Sequence, residues 1–220
     1  MEFIVSEEIR AAAPDYRALI VSANIENGPT SDVLWNALTD EYRRVAEAYE
    51  MPMVNKRPAI AATRAAYKAC GKEPNRYRPS AEALMRRMVR GLELYRTLTA
   101  IDLINLLSVQ TGHSIGGFDA DAITGDTLTL GIGTEGEPYE AIGRGTLNIA
   151  GMPVWRDDVG GIGTPTSDNE RTKLSEHTGR LLMIINMYGL EEPVESVERR
   201  AVEMLEKYAS ATHICVRRVE

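Results

Sequence analysis

Apolar residues recur at helical spacing through the first half of the chain and alternate with polar ones through the second. Leu34, Leu38, Tyr42, Val45 and Tyr49 form one stripe with the period of an amphipathic helix. Ser31 or Asp32 stands where its N-cap belongs. Upstream, residues 3–9 and 16–25 are rich in Ile, Val and Tyr and predict two strands. Pro58 suits the first turn of a second helix, which Gly71 ends. A third opens at "PSAEAL", with Ser80 in N-cap position; Leu84, Met88 and Leu92 repeat every four residues and Tyr95 closes the stripe. A fourth follows Thr99 and stops at Gly112.

Beyond residue 112, Gly, Thr and Asp become frequent, and "TLTLGIG", "EPYEAI", "TLNIAGMPVW" and "RLLMIINMYG" predict short strands. The polar stretch from Gly160 to Thr178 is long for a connection inside a compact domain, which marks it as functional or mobile. Val194, Val197, Ala201, Leu205 and Tyr208 share one face of a last helix, and "ATHICVRRV" predicts a final strand, able to pair with the first strand in one sheet. Without internal repeats or a Ser- or Pro-rich linker, the pattern predicts an α+β fold, with residues 1–220 as a single domain.

Composition narrows the setting. Hydrophobic residues make up 44% and charged residues 26%, as in an ordinary soluble globular protein. No apolar run reaches the ~20 residues of a membrane span. "MEFIVSEEIR" lacks the basic flank and cleavage site of a signal peptide. Cys70 and Cys215 form no CxxC pair, so a reducing, cytoplasmic setting is expected. The net charge is −7, yet Lys56–Arg96 holds 11 Lys/Arg against 3 Asp/Glu, leaving −15 elsewhere. Such asymmetry can turn one face toward a phosphate-rich partner; the plainer alternative is a set of solvated helix faces.

Candidate chemistry is sparse. Gly131, Gly133 and Gly136 fit G-x-G-x-x-G, but Pro138 and the alternation after it predict a hairpin turn, not a phosphate-binding helix. GxxxxGK[ST], HExxH and GxSxG are absent. His113, His177 and His213 are not spaced as ligands and read as surface or loop residues; no metal or cofactor is expected. Thr99 and Asp102 have capping-box spacing. Asn105 lies among Ile101, Ile104, Leu106 and Leu107. Leaving a buried amide unpaired costs roughly 1–3 kcal/mol, so its partner is either backbone or a ligand. Ser108 is one turn along on the same face. Asp119 after Phe118, and Asp157 and Asp158 before paired glycines, have the placement of turn residues or of acid–base groups.

"YRPSAEALMRRM", then "IDLINLLSVQTGHSIGGFD", then a sheet-rich segment ending near "GRLLMIINMYG" resembles the editing module of the phenylalanyl-tRNA synthetase beta subunit, its third and fourth domains, in free-standing form. The likeness covers about residues 15–210. It implies a three-layer α+β domain with a β-sandwich of unusual topology, helices early and strands late. It also implies contact with the aminoacylated 3′ end of a tRNA and hydrolysis of a mischarged ester, without aminoacylation.

By position, Asp102 and Asn105 match the family's helix, and Phe118 and Asp119 its Phe-Asp pair. Two positions depart: Gly116 stands where the synthetase has a histidine, and the strand around Ile184 lacks its acid. The resemblance therefore points to substrate contacts at Glu82, Asp102, Gly116, Phe118 and Asp119. Asn105, Ser108 and Thr164 are candidates for holding water and the oxyanion, and Asp157 or Glu82 for the general base. Arg76, Arg78, Arg86, Arg87 and Arg90 are the expected phosphate rim. The alternative is a pocket for a free amino acid or metabolite, without RNA.

Overall fold

A computed structural model describes all 220 residues. Ten strands and seven helices follow in the order β1 (Glu2–Val5), α1 (Glu7–Ala12), β2 (Arg17–Asn24), α2 (Asp32–Ala48), α3 (Met51–Val54), α4 (Pro58–Ala69), α5 (Ser80–Val89), α6 (Thr99–Thr111), β3 (Ser114–Asp119), β4 (Thr127–Ile132), β5 (Glu140–Ala141), β6 (Gly145–Thr146), β7 (Pro153–Arg156), β8 (Gly161–Gly163), β9 (Arg180–Met187), α7 (Val194–Ala209) and β10 (Thr212–Val219). Two four-stranded sheets, ordered β10-β2-β9-β3 and β1-β4-β7-β8, make a sandwich, with β5-β6 a small ribbon beside it.

Strand alternation assigns the layers. On β2 and β9, Leu19, Val21, Met183 and Ile185 enter the core shared with Leu34, Leu38, Met85, Leu103 and Leu205 of the helices. Ala18, Ile20, Leu182 and Ile184 turn the other way, onto Val5, Leu130, Trp155 and Ile162 of the second sheet. Helices, central sheet and outer sheet are the three layers. The α+β architecture is as expected from the sequence.

Several boundaries differ from that expectation. Ser6 accepts the Ile9 N–H and starts α1, cutting the first strand to four residues. The terminal strands do not share a sheet: β1 pairs in parallel with β4, while β10 pairs with β2. Ser31 caps α2 as anticipated. Ser80, in contrast, is the first helical residue of α5, its N–H donating to the Pro165 carbonyl at 2.7 Å. Because α5 ends at Val89, Leu92 and Tyr95 leave its stripe and stand exposed. The Gly131–Gly136 run opens no phosphate-binding helix, but it is not the turn of a hairpin either: Gly131 lies in β4, which pairs with β7 rather than with the following strand. The Gly160–Thr178 stretch is built into the fold by β8, a 3₁₀ turn and bridges to β3 and β5.

Candidate functional site

Helix α6 is the spine of the site. Gly112, in the left-handed region at φ +76°, ends it. Arg57 closes the same end, donating to the Gln110 carbonyl at 2.7 Å while Glu191 holds its Nε. At the other end Asp102 is fully buried and accepts from the Thr97 N–H at 2.9 Å and from the Thr30 and Thr97 hydroxyls. Asp102 thus ties α6 to the preceding loops. The Thr99–Asp102 capping box is not formed; the N-cap is Leu98.

Between α6, β3 and the Thr164–Leu174 segment lies a cavity of about 230 Å³. Ile101, Ile104, Ile115, Ile142 and Leu174 give it apolar walls, and Ser80, Asn105, Thr164, Ser167, Asp168 and Lys173 its polar ones. Asn105 is half-buried and its amide has no partner within the protein, so of the two partners its setting required, backbone or ligand, backbone is not supplied. Thr164 shapes the wall: its hydroxyl accepts the Thr166 and Ser167 N–H groups and donates to the Ser167 carbonyl at 3.0 Å. Tyr67 and Tyr139 clamp that turn from beneath, through the Thr166 hydroxyl at 2.8 Å and the Ser167 carbonyl at 2.7 Å.

Asp168 is the residue that sequence reasoning missed. Burial pushes its carboxyl up to about 7, against a smaller opposing effect of the Gly117 N–H, which donates to Oδ2 at 3.1 Å. No cation pairs with it. An acid raised toward neutrality in a cavity is a candidate for proton transfer. The only sequence signal was the length and polarity of the loop that carries it.

Most other expected site residues are engaged elsewhere. Glu82 is fully buried between Arg64 (2.8 Å) and Arg86 (2.7 Å). The Ser108 hydroxyl donates to the His113 carbonyl at 2.7 Å. Phe118 faces the inter-sheet core, against Gly116 and Gly163. Asp119 accepts from the Asp121 N–H and the Thr178 hydroxyl. Asp157 is held by Arg171 and by the N–H groups of Thr124, Val159 and Gly160. Burial alone would raise its pKa, but these donors outweigh it and keep the carboxyl below its ordinary value. None of the five lines the cavity. His113, expected at the surface or in a loop, lies in the connection between α6 and β3 but is fully buried with both ring nitrogens unpaired, and burial, then Arg57, lowers its pKa to about 4.

The basic segment divides in the same way. Arg57, Arg64, Lys72 and Arg86 are consumed inside by carboxylates and carbonyls. Arg76 stacks on Tyr77, away from the cavity. Arg78, Arg87 and Arg90, joined by Arg144 from the β5–β6 turn, line a groove of about 420 Å³ with Arg86 at its floor. Arg78, Arg90 and Arg144 have no acidic partner, and the groove shares Ser80 and Asn105 with the cavity. No three His, Cys, Asp or Glu side chains converge to hold a metal ion, and no helix is long and apolar enough to cross a membrane.

The B3/4 domain family model matches residues 62–209. The chain belongs to that family. No curated protein matches it. Among solved structures it is similar to an N-terminal fragment of the phenylalanyl-tRNA synthetase beta subunit from Pyrococcus horikoshii, with a TM-score of 0.50 and 12% identity. That likeness takes in 100% of this chain and 54% of the fragment, so the B3/4 chain spans about half the length of its structural relative. At this identity the comparison speaks for the fold. Both findings agree with the synthetase module named from the sequence.

Proposed function

We propose that this B3/4 protein binds the aminoacylated 3′ end of a tRNA and hydrolyses its ester, acting in a cytoplasmic setting as one domain. The observation that carries this reading is the junction at Asn105. A cavity with a near-neutral carboxyl adjoins there a groove in which Arg78, Arg90 and Arg144 lack acidic partners. Phosphates in the groove supply affinity without reading sequence. The aminoacyl group enters the cavity, its side chain against the isoleucines. Asp168 takes a proton from water as the water oxygen bonds to the ester carbonyl carbon. The carbonyl oxygen becomes an oxyanion, which the free Asn105 amide N–H stabilises. On collapse the bond to the ribose oxygen breaks and Asp168 returns the proton to it, leaving a free amino acid and an RNA hydroxyl.

The test incubates the purified protein with a panel of mischarged tRNAs and follows release of the amino acid. Deacylation of at least one that is lost in Asp168→Asn supports the reading; no retention of tRNA at low salt and no deacylation reject it. The amino-acid pocket without RNA is favoured by the net charge of −7. It predicts thermal shifts with free amino acids and no tRNA retention.

A further inference from the structure

A second recess adjoins the site on the far side of Asn105. It has a volume of about 150 Å³, lies between α2, α5 and the Gly91–Leu98 connection, and is floored by Leu38, Leu84, Met88 and Leu94. Tyr95 stands at its mouth, 73% exposed. The Arg87 guanidinium lies 4.8 Å from the Tyr95 ring centroid and is steadied by the Glu93 carbonyl at 2.7 Å. An aromatic ring this open is unusual for a residue of its size, and nothing in the core explains it. Asn105 lines this recess, the arginine groove and the catalytic cavity alike.

We propose that Tyr95, Arg87 and the recess beside them form a subsite for one unpaired nucleobase of the RNA strand whose end enters the cavity. The inference rests on the function proposed above and adds how the strand is held. A nucleobase has flat apolar faces and a polar edge. The Tyr95 ring and Arg87 plane offer stacking surfaces, the leucines and Met88 accept the buried face, and the Asn105 amide offers both a donor and an acceptor to the edge. The arginines decide for a nucleotide over an apolar peptide side chain. Arg87 lines both the recess and the groove, so an occupant of the recess sits beside a cationic surface that suits a linked phosphate. The strand then bends around Asn105, with base on one side, phosphate in the groove and ester in the cavity.

The experiment measures fluorescence anisotropy of a short labelled single-stranded RNA with a free 3′ hydroxyl, and of the same RNA made abasic at one position at a time. The proteins are wild type, Tyr95→Ala, Tyr95→Phe and Arg90→Glu. Tyr95 is exposed, so its truncation leaves the fold intact. Stacking is expected to make Tyr95→Ala bind the intact RNA about tenfold more weakly, with Tyr95→Phe restored to wild type. One abasic position should cost wild type the same factor and leave it equal to Tyr95→Ala. If Tyr95→Ala binds every RNA as wild type does while Arg90→Glu weakens them all, the base subsite is wrong and the RNA-binding function stands. If wild type binds none of them at low salt, both fall.

Discussion

Replacing Asp168 by Asn separates stability from catalysis at one atom. The carboxyl titrates at about 7 in the folded chain against an ordinary 3.8. Folding therefore binds its proton more tightly than the unfolded chain does. That contribution is complete below about pH 4 and is lost as pH rises toward 7. Above 7 the fold carries a desolvated carboxylate with one N–H donor. Three units of pKa correspond to about 4 kcal/mol, and because Asp168 sits on a cavity wall, water there trims the figure to roughly 2–4 kcal/mol. Asn cannot ionise and keeps the acceptor for Gly117. Urea unfolding at about pH 8 should thus find Asp168→Asn more stable than wild type by that amount, and at about pH 4 equal to it. Deacylation should fall at least 100-fold, the scale of general-base loss, with tRNA retention unchanged. A stability difference that does not vary with pH would refute the raised proton affinity. Undiminished hydrolysis would remove Asp168 from the chemistry.

Asn105→Ala should cost less than about 1 kcal/mol, since the amide has no partner to lose, yet lower deacylation about 100-fold; thermal melts and single-turnover assays check the pair. Arg86→Ala should destabilise by about 2–3 kcal/mol, because it strips one of two cations from the buried Glu82. Arg90→Ala should stay within about 0.5 kcal/mol while flattening the salt dependence of RNA binding. His113, neutral when folded with its pKa at about 4, should make wild-type stability fall by about 3 kcal/mol as pH drops from about 6.5 toward 4. His113→Leu should lack that acid limb in urea melts.

What the sequence revealed and what it hid follow from the range of each interaction. Helix α2, its Ser31 cap and its stripe depend on neighbours three and four residues away, and they stand where the periodicity put them. The sheet partners of β1 and β10 lie more than a hundred positions away in sequence, which periodicity does not encode. Charge was legible only as a sum. The excess of Lys56–Arg96 is real, but Arg57, Arg64, Lys72 and Arg86 are spent on carboxylates and carbonyls within the fold, while Arg144, outside the segment, joins the groove. Asn105 stood out because an amide among isoleucines and leucines is locally anomalous. Asp168, in "TSDNE", is locally ordinary; its character comes from burial in a turn that Tyr67 and Tyr139 hold, opposed by the Gly117 N–H from β3.

The two glycines around Phe118 explain why the carboxyl is where it is. A side-chain carbon on Gly116 would lie 2.6 Å from Cζ of Phe118 and 3.2 Å from Oδ1 of Asp168; one on Gly163 would lie 2.5 Å and 3.0 Å from the same two atoms. Phe118 and Asp168 therefore fill the space that side chains on β3 and β8 would need. A histidine at Gly116 could enter only by displacing Phe118 from the inter-sheet core, where the ring is 1% exposed, and by crowding Asp168. Overpacking of that kind costs roughly 1–3 kcal/mol. The bare positions at Gly116 and Gly163 and the placement of the Asp168 carboxyl are thus two sides of one packing arrangement, with the acid carried by the turn that Tyr67 and Tyr139 hold in place.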